Sequence, residues 1–477
     1  MSTDRRSFLK LSGLAGLGIL SNKVSASPLE EQSNYHQILR ESQQSYKPIF
    51  NMSGYAAPAL STVRTGFVGV GNRGSAAVYR LSMIEGVSIK GICDIRDEKA
   101  QAAKKRIVTS GHEAKIYSGK AESWKEMCRR DDIDFVYIAT NWALHAEMAI
   151  YAMEQGKHVA VEIPAAVTIE ECWQLVITSE RTKKHCVILE NCCYDFFEML
   201  TLNLARQGFF GDIVHCEGAY IHDILESLFK DEARFEKWRL MENAKRNGNL
   251  YPTHGLGPIA QVLKINRGNK MEFMTSMASN DFSLRPKTEE LAKTNKEFEK
   301  YLKYPFRGNM NTSTIKNNDG STIMLQHDVS TPRPYSRIHL ISGTKAFAQK
   351  YPLPAKLAIG HEKFMDDDEF KKIEAENTPK IISQIGEMAK EVGGHGGMDF
   401  IMDWRLIDCL RNGLPVDMDV YDAASWSSIA PLSEWSVANG SKPIAIPDFT
   451  MGRWKANKVH NIHLETGGNT KVLKSNK

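Results

Sequence analysis

The sequence predicts a mixed α/β protein of two domains: a largely parallel sheet first, then an α+β unit built on a mostly antiparallel sheet. Three observations predict it. Strand-like and helix-like segments alternate from Val63 to Glu190. The first strand ends in the pattern Gly69-x-Gly71-x-x-Gly74. Beyond Asn191 the alternation gives way to longer strands interrupted by charged segments. A chain of 477 residues is long enough to bury two cores.

The chain opens with Arg5-Arg6, then Phe8-Leu9-Lys10, an apolar run from Leu11 to Leu20, and the small-residue pattern Val24-Ser25-Ala26. The run is too short to span a bilayer. Residues 1–26 therefore read as a twin-arginine export signal. That predicts a periplasmic or otherwise exported protein, with the twin-arginine translocation machinery as a partner during export. Of the formal net charge of +4, these residues carry +3 through Arg5, Arg6, Lys10 and Lys23 against Asp4. The near-neutral remainder argues against nucleic acid as a partner. Residues 27–60 read as an arm or linker.

Residues 61–191 form the first predicted domain. A strand over Val63 to Val70 feeds the glycine turn, and helix signals follow to Ile84. In this pattern Gly69 permits the tight turn, Gly71 lets the backbone approach a pyrophosphate, and Gly74 allows close helix packing. The next strand, Val87 to Cys93, ends at Asp94, twenty residues past Gly74. A carboxylate there accepts hydrogen bonds from an adenosine ribose and repels a 2′-phosphate. The expected cofactor is NAD on a Rossmann dinucleotide-binding domain. Further strands are expected at Asp134 to Thr140, His158 to Val161 and Cys186 to Glu190, with helices at Trp142 to Gln155 and Thr168 to Thr182. Ligands bind beyond the carboxyl ends of such strands, which points to Asn141, Trp142, His145, Glu162 and Asn191.

Residues 192–450 form the second predicted domain. A helix over Phe196 to Gln207 precedes strands at Ile213 to Ile221, Met271 to Ala278, Gly320 to Asp328 and Ser336 to Gly343. Residues 281–304 and 355–391 are charged and read as solvated helices or excursions. Met398 to Leu410 and Val420 to Ser436 read as two helices, and 451–477 as a tail. Tyr251-Pro252-Thr253-His254 places a phenol and an imidazole on one helical face. Gly393-Gly394-His395-Gly396-Gly397-Met398-Asp399 suggests close backbone approach to a ligand, a strand or a turn. The eight cysteines form no CxxC pair and read as buried small hydrophobes, with no disulfide framework and no metal site.

The order of these features resembles the glucose-fructose oxidoreductase superfamily, in particular Gly156-Lys157-His158-Val159 followed by Glu162-x-Pro164. That superfamily has lysine between the glutamate and the proline, where it assists hydride transfer. Here position 163 is isoleucine, which disfavours the alternative of an exported NAD(P)-dependent sugar oxidoreductase with net turnover. The Glu-Ile-Pro variant, Glu190-Asn191 with Tyr194, Trp238-Arg239, Tyr251 to His254 and the Gly-His-Gly-Gly-Met-Asp segment resemble glycoside hydrolase family 109. The resemblance spans roughly residues 60–450. It implies hydrolysis of terminal α-linked N-acetylgalactosamine with retention. The implied route is oxidation at carbon 3 by NAD, elimination, water addition and re-reduction. It assigns Asn72, Arg73, Asp94, Trp142, Ala143, Leu144, His145, Glu162, Ile163 and Asn191 to NAD. It assigns Tyr220, Arg239, Tyr251, Pro252, Thr253, His254 and Tyr335 to the sugar, with Tyr194 also expected there. His254, Tyr194, Tyr251 and Glu162 are the candidate catalytic groups, with Arg239 expected either to lower a phenol's pKa or to bind hydroxyls or the N-acetyl group, and Glu162 either to polarise His254 or to bind the sugar. A homo-oligomer is left open.

Overall fold

The structure, a computed structural model, describes residues 46–230 and 235–473. The predicted export signal and most of the predicted arm lie outside the described residues. The first sheet holds six parallel strands: β1 (Val63–Val68), β2 (Val87–Cys93), β3 (Lys115–Tyr117), β4 (Phe135–Ile138), β5 (His158–Val161) and β6 (Cys186–Ile188). Their order across the sheet is β3-β2-β1-β4-β5-β6. β4 and β5 are buried along their whole length, because helices cover both faces of the sheet. Those helices are α1 (Asn72–Ser82), α2 (Asp97–Lys104), α3 (Ser123–Cys128), α4 (Trp142–Glu154) and α5 (Ile169–Thr182). α5 starts where Thr168 and Glu171 form a reciprocal capping box. β3 and the short helices flanking it escape sequence reading, since three residues give no period to detect.

A one-turn 3-10 segment, Asn191–Tyr194, leads into α6 (Phe196–Arg206) and the second sheet. Its strands are β7 (Ile213–Ile221), β8 (Met271–Ala278), β9 (Asn311–Asn317), β10 (Thr322–Asp328), β11 (Leu340–Gly343), β12 (Ala346–Gln349), β13 (Lys356–Ile359) and β14 (Ile444–Ala445). The order is β13-β12-β11-β7-β10-β9-β8-β14. β7 and β10 run parallel and the other neighbouring pairs run antiparallel. β9 carries no hydropathy alternation because its inward residues include Asn311, Ser313 and Asn317. Ser313 Oγ lies 2.9 Å from Ser276 Oγ on β8, so the buried polar groups satisfy one another.

Short helices α7 (Leu225–Leu228), α8 (Trp238–Lys245) and α9 (Thr253–Val262) follow β7, and α10 (Leu284–Ala292) follows β8. The segment at 281–304, expected to be a solvated helix or excursion, does form the helix α10 but is anchored rather than solvated. Leu284, Phe298 and Tyr301 join Phe229, Leu240 and Phe306 in a small core of their own. The 355–391 segment contributes β13, then α11 (Asp367–Asn377) and α12 (Lys380–Val392). α13 (Met398–Asn412) follows, and the last predicted helix is two, α14 (Val420–Ser427) and α15 (Ile429–Ala438).

The two sheets share one framework. α13 and α14 pack on the first domain, against α1 and α5. Glu180 of α5 accepts from the backbone of Ile49 and Phe50 and from the Tyr421 hydroxyl. The end of the predicted arm is thereby held on its own chain. The predicted tail is held too, since Val472 bridges Ile84 and Trp404 Nε1 donates to the Thr470 carbonyl. No helix among the described residues is long and apolar enough to cross a membrane.

Candidate active site

The glycine turn has the shape a pyrophosphate requires. Gly69 has φ +79°, and a Cβ there would lie 2.7 Å from the Ala139 carbonyl oxygen. A Cβ on Gly74 would strike the carbonyl of Gly69, while one on Gly71 would meet only Arg96, at 3.9 Å. Gly74 therefore lets α1 close on the turn, and Gly71 leaves its outer face open. Asn72 begins α1. Asp94 stands at the end of β2, buried, accepting from the amides of Val70 at 2.9 Å and Arg96 at 3.0 Å. A cavity of about 920 Å³ opens beside this point, lined by Arg96, Asn141, Ala143, Phe235, Trp238 and Tyr301 among others. Asn141 Oδ1 is buried without a hydrogen-bond partner among the described residues. A buried orphan acceptor beside a glycine cradle fits a dinucleotide.

Arg73, assigned to NAD by resemblance, also ties the domains together. It donates to Glu162 at 3.0 Å and to Asp399 at 2.9 Å. Burial alone would lower the Arg73 guanidinium, but Glu162 and Asp399 outweigh it and raise it well above the ordinary arginine value. Asp399 also receives Asn191 Nδ2 and His395 Nδ1. Burial would raise the Asp399 carboxyl, yet Arg73, His395 and Arg80 hold it far below the usual carboxylate range. The glycine-dense loop thus serves as the mount for this carboxylate. A Cβ on Gly394 would lie 2.7 Å from Asp399 itself.

His145 plays a framework part. Its ring nitrogens face the carbonyls of Pro164 at 2.8 Å and Thr140 at 3.1 Å, and burial lowers its pKa. So placed, the ring spans the β4 and β5 ends, with a carbonyl against each nitrogen. Ile163 is buried in the main core and supplies no titratable group. Leu144 is half-buried on α4 beside it.

The sugar-site candidates gather where α9 meets β7. Gly218 and Gly255 allow it, because a Cβ on Gly255 would lie 2.4 Å from the Ala219 nitrogen. That close approach sets the ring of Tyr220 at 4.8 Å from Tyr251 and 5.3 Å from His254, between centroids. Trp142 stacks on Tyr251 at 5.5 Å and meets Trp238 edge-on. The Arg239 guanidinium lies over Tyr251 at 4.8 Å, Trp142 at 5.1 Å and Tyr220 at 5.8 Å. Its Nε and Nη2 are buried and unpartnered among the described residues. Tyr335, the most exposed of the group, meets Tyr220 and His222 edge-on. Pro252 and Thr253 are buried at the start of α9.

Three placements depart from the expected roles. Tyr194 is buried with its hydroxyl donating to Asp417 at 3.0 Å, and burial with that carboxylate raises its pKa well above the phenol value. Its hydroxyl is thus committed to Asp417, which Arg405 also pairs, rather than to the aromatic pocket. Tyr251 is also raised well above the phenol value, because burial outweighs the lowering by Arg239. It stays protonated at neutral pH and serves as a hydrogen-bond donor. The carboxylate on His254 is Glu190, not Glu162: Glu190 Oε1 lies 2.7 Å from His254 Nδ1. Burial would raise the Glu190 carboxyl, and His254 holds it below the ordinary glutamate value. A Cβ on Gly257 would press on Glu190 at 2.8 Å, so α9 needs glycine there too. Glu190 lies two residues beyond β6 and caps the 3-10 segment, where the strand-end rule applies but does not favour it over Asn191.

Cys192 Sγ lies 3.1 Å from His254 Nδ1. Glu190, Cys192 and His254 bring one ligand atom each within 4.8 Å of the others, a grouping the sequence did not reveal. Burial raises the Cys192 thiol well above its ordinary value. All eight cysteines are free and buried.

Comparison with known proteins agrees with this geometry. Residues 63–190 match the model of an oxidoreductase family with an NAD-binding Rossmann fold, and residues 194–456 match that of the glycosyl hydrolase 109 C-terminal domain. A Porphyromonas gingivalis protein named glycosyl hydrolase family 109 protein is 48% identical over 417 residues, covering 83% of this chain and 86% of its own. A Bacteroides fragilis protein named alpha-N-acetylgalactosaminidase is 47% identical over 413 residues, covering 84% and 95%. Among solved structures, an NAD binding oxidoreductase from Klebsiella pneumoniae superposes with a TM-score of 0.62 at 16% identity, covering 81% of this chain and 99% of that one. A levoglucosan dehydrogenase in complex with NADH gives 0.59 at 17% identity, covering 81% and 100%. The structural likenesses speak for the fold, and the sequence likenesses for the family. The chain belongs to glycoside hydrolase family 109, an enzyme family in which the Rossmann domain carries NAD.

Proposed function

We propose that this enzyme hydrolyses terminal α-linked N-acetylgalactosamine with retention, through reversible oxidation at carbon 3 of the sugar. The observation that carries the reading is the Glu190–His254 pair facing an aromatic pocket beside the cofactor loop. The name of the Bacteroides fragilis relative supports the substrate class. Ordinary glycosidases use two carboxylates across the scissile bond. Here Glu162 is paired with Arg73 and Glu190 with His254.

When bound, NAD supplies a hydride acceptor and donor, so a carbinol can be oxidised and restored with no net redox change. His254 takes the proton of the 3-hydroxyl and returns it, with Glu190 on Nδ1 fixing the ring and stabilising its cationic form. The ketone acidifies carbon 2; a base takes that proton as the group on carbon 1 leaves, water then adds at carbon 1 with a proton returning to carbon 2, and hydride return restores the carbinol at carbon 3. Arg239 and the protonated Tyr251 hold sugar oxygens by hydrogen bonds, and Trp142 and Tyr220 form apolar walls. The test is hydrolysis of aryl α- and β-N-acetylgalactosaminides without added cofactor or metal, with the released anomer followed by NMR. α-Selective release of the α-anomer supports the reading. Accumulation of NADH and a ketosugar replaces it with net oxidation.

Export by the twin-arginine route is likewise proposed, on Arg5, Arg6 and the apolar run alone. Changing both arginines to lysine leaves unprocessed precursor in the cytoplasm if the reading holds, and normal processing overturns it.

A further inference from the structure

Two buried arginines lie close together with no carboxylate between them. Arg239 and Arg307 form no ion pair among the described residues, although Arg307 is 0% and Arg239 5% exposed. The segments that carry them run side by side. Arg307 N donates to the Asn243 carbonyl at 2.9 Å, and Asn243 Nδ2 donates to the Arg239 carbonyl at 2.7 Å. Arg307 Nη2 is used, donating to the carbonyls of His327 at 3.0 Å and Asn309 at 3.2 Å. Arg307 Nε and Nη1 and Arg239 Nε and Nη2 are buried with no partner among the described residues.

His327 adds a fifth unpartnered donor. Its Nδ1 accepts from Leu250 N at 3.3 Å, and burial together with Arg307 and Arg239 holds the ring neutral, so Nε2 carries the hydrogen. That Nε2 is also buried and lacks a well-formed hydrogen bond, with the Gly248 backbone the one polar group within reach of the ring that favours its protonation. The matching orphan acceptor is Asn243 Oδ1 alone on these four residues. The carboxylates whose charge reaches Arg307 are Asp328 and Asp281. Both are already bonded elsewhere, Asp328 to Ser330 N and Thr331 Oγ1, and Asp281 to the amides of Ser283, Leu284 and Arg285. Burial lowers the Arg307 guanidinium to about 10, which leaves it cationic at neutral pH.

Like charges buried without a counter-charge are costly. Water can fill such a space, but water both donates and accepts, whereas the unpartnered atoms of Arg239, Arg307 and His327 are all donors. A bound anion accepts at every contact and cancels the charge. We infer that Arg239, Arg307 and His327 form a binding site for a small inorganic anion of halide type. The site is separate from the sugar pocket and lies behind Tyr220, whose ring stacks on His327 at 6.1 Å. A charged group on a glycan does not reach it without displacing that ring, since Arg307 and His327 are both closed to solvent. Arg239 belongs to both sites, so the anion balances charge directly behind the sugar pocket.

The test uses the NAD-loaded protein exchanged into sodium gluconate. Chloride or bromide, replacing gluconate at constant ionic strength, raises the melting temperature by a few degrees in a saturable way. Arg307→Met abolishes that rise while NAD stays bound. Crystals grown in bromide show an anomalous peak within hydrogen-bonding distance of both guanidinium groups. The wild-type anomalous map decides the matter even if the variant does not fold. A water molecule at that position, or a halide effect on melting with no anomalous peak there, overturns the inference.

Discussion

Glu190 Oε1 lies 2.7 Å from His254 Nδ1, and Glu190 is fully buried while His254 keeps an exposed edge toward the pocket. The carboxylate arrives two residues beyond β6 and the imidazole on the first turn of α9. The pair therefore depends on how the second domain docks on the first.

Removing that charge while keeping the shape tests its part. Glu190→Gln is expected to lower kcat by about 10²-fold, the lower end of what positioned proton transfer contributes. KM and NAD content stay near wild type. Loss of NAD from the variant, or an unchanged kcat, assigns Glu190 to the framework.

Asp94→Ala removes an acceptor at the ribose position. NAD retention is expected to weaken by about 1–3 kcal/mol. Mass spectrometry of nucleotide released from equal amounts of folded wild type and variant measures it. Equal retention removes Asp94 from the cofactor site.

The placement of Tyr194 makes an opposite prediction. Its hydroxyl bonds Asp417, which keeps Arg405 as a second partner. Tyr194→Phe is expected to cost about 1 kcal/mol of stability and to leave kcat within a factor of two or so of wild type. A large loss of kcat in a fully folded variant returns Tyr194 to the sugar site.

Asp399 sets a pH dependence. Its folded pKa is depressed by Arg73, His395 and Arg80 against the opposing effect of burial. Its stabilising contribution is therefore complete above the unfolded carboxyl value of roughly 4 and is lost as pH falls below it. Asp399→Asn is expected to cost about 1–3 kcal/mol at pH 7, reduced because Arg73 is one-third exposed. It also flattens the fall in denaturant midpoint as pH drops through 4. A variant whose midpoint falls with pH as steeply as wild type contradicts the assignment.

The close approach of α9 to β7 can be tested sterically. Gly255→Ala places a methyl group where the gap to Ala219 N is 2.4 Å. Moving the start of α9 shifts Tyr251 and His254 together, so kcat is expected to fall by roughly 10²-fold with the cofactor retained.

Much of this was legible in the sequence where a local rule applies. Gly69, Gly74 and Asp94 sit at fixed spacings around one turn, so these features could be read without partners. β9 was hidden because Asn311, Ser313 and Asn317 face inward and bond across strands. The Glu190–His254 pair joins residues 64 apart, and the Arg73–Asp399 pair joins residues 326 apart. No periodicity encodes such contacts. Tyr194 was expected at the sugar by resemblance, and the turn of the 3-10 segment sends its ring to Asp417 instead.

The central claim is that the sugar is oxidised at carbon 3 and deprotonated at carbon 2 before its glycosidic bond breaks. The most direct measurement is hydrolysis of an α-N-acetylgalactosaminide deuterated at carbon 2, run in ordinary water, with rate and product both followed. The account predicts a primary isotope effect on turnover and loss of deuterium from carbon 2 of the released sugar. Full retention of deuterium with no isotope effect would contradict it and return the reaction to direct displacement at carbon 1.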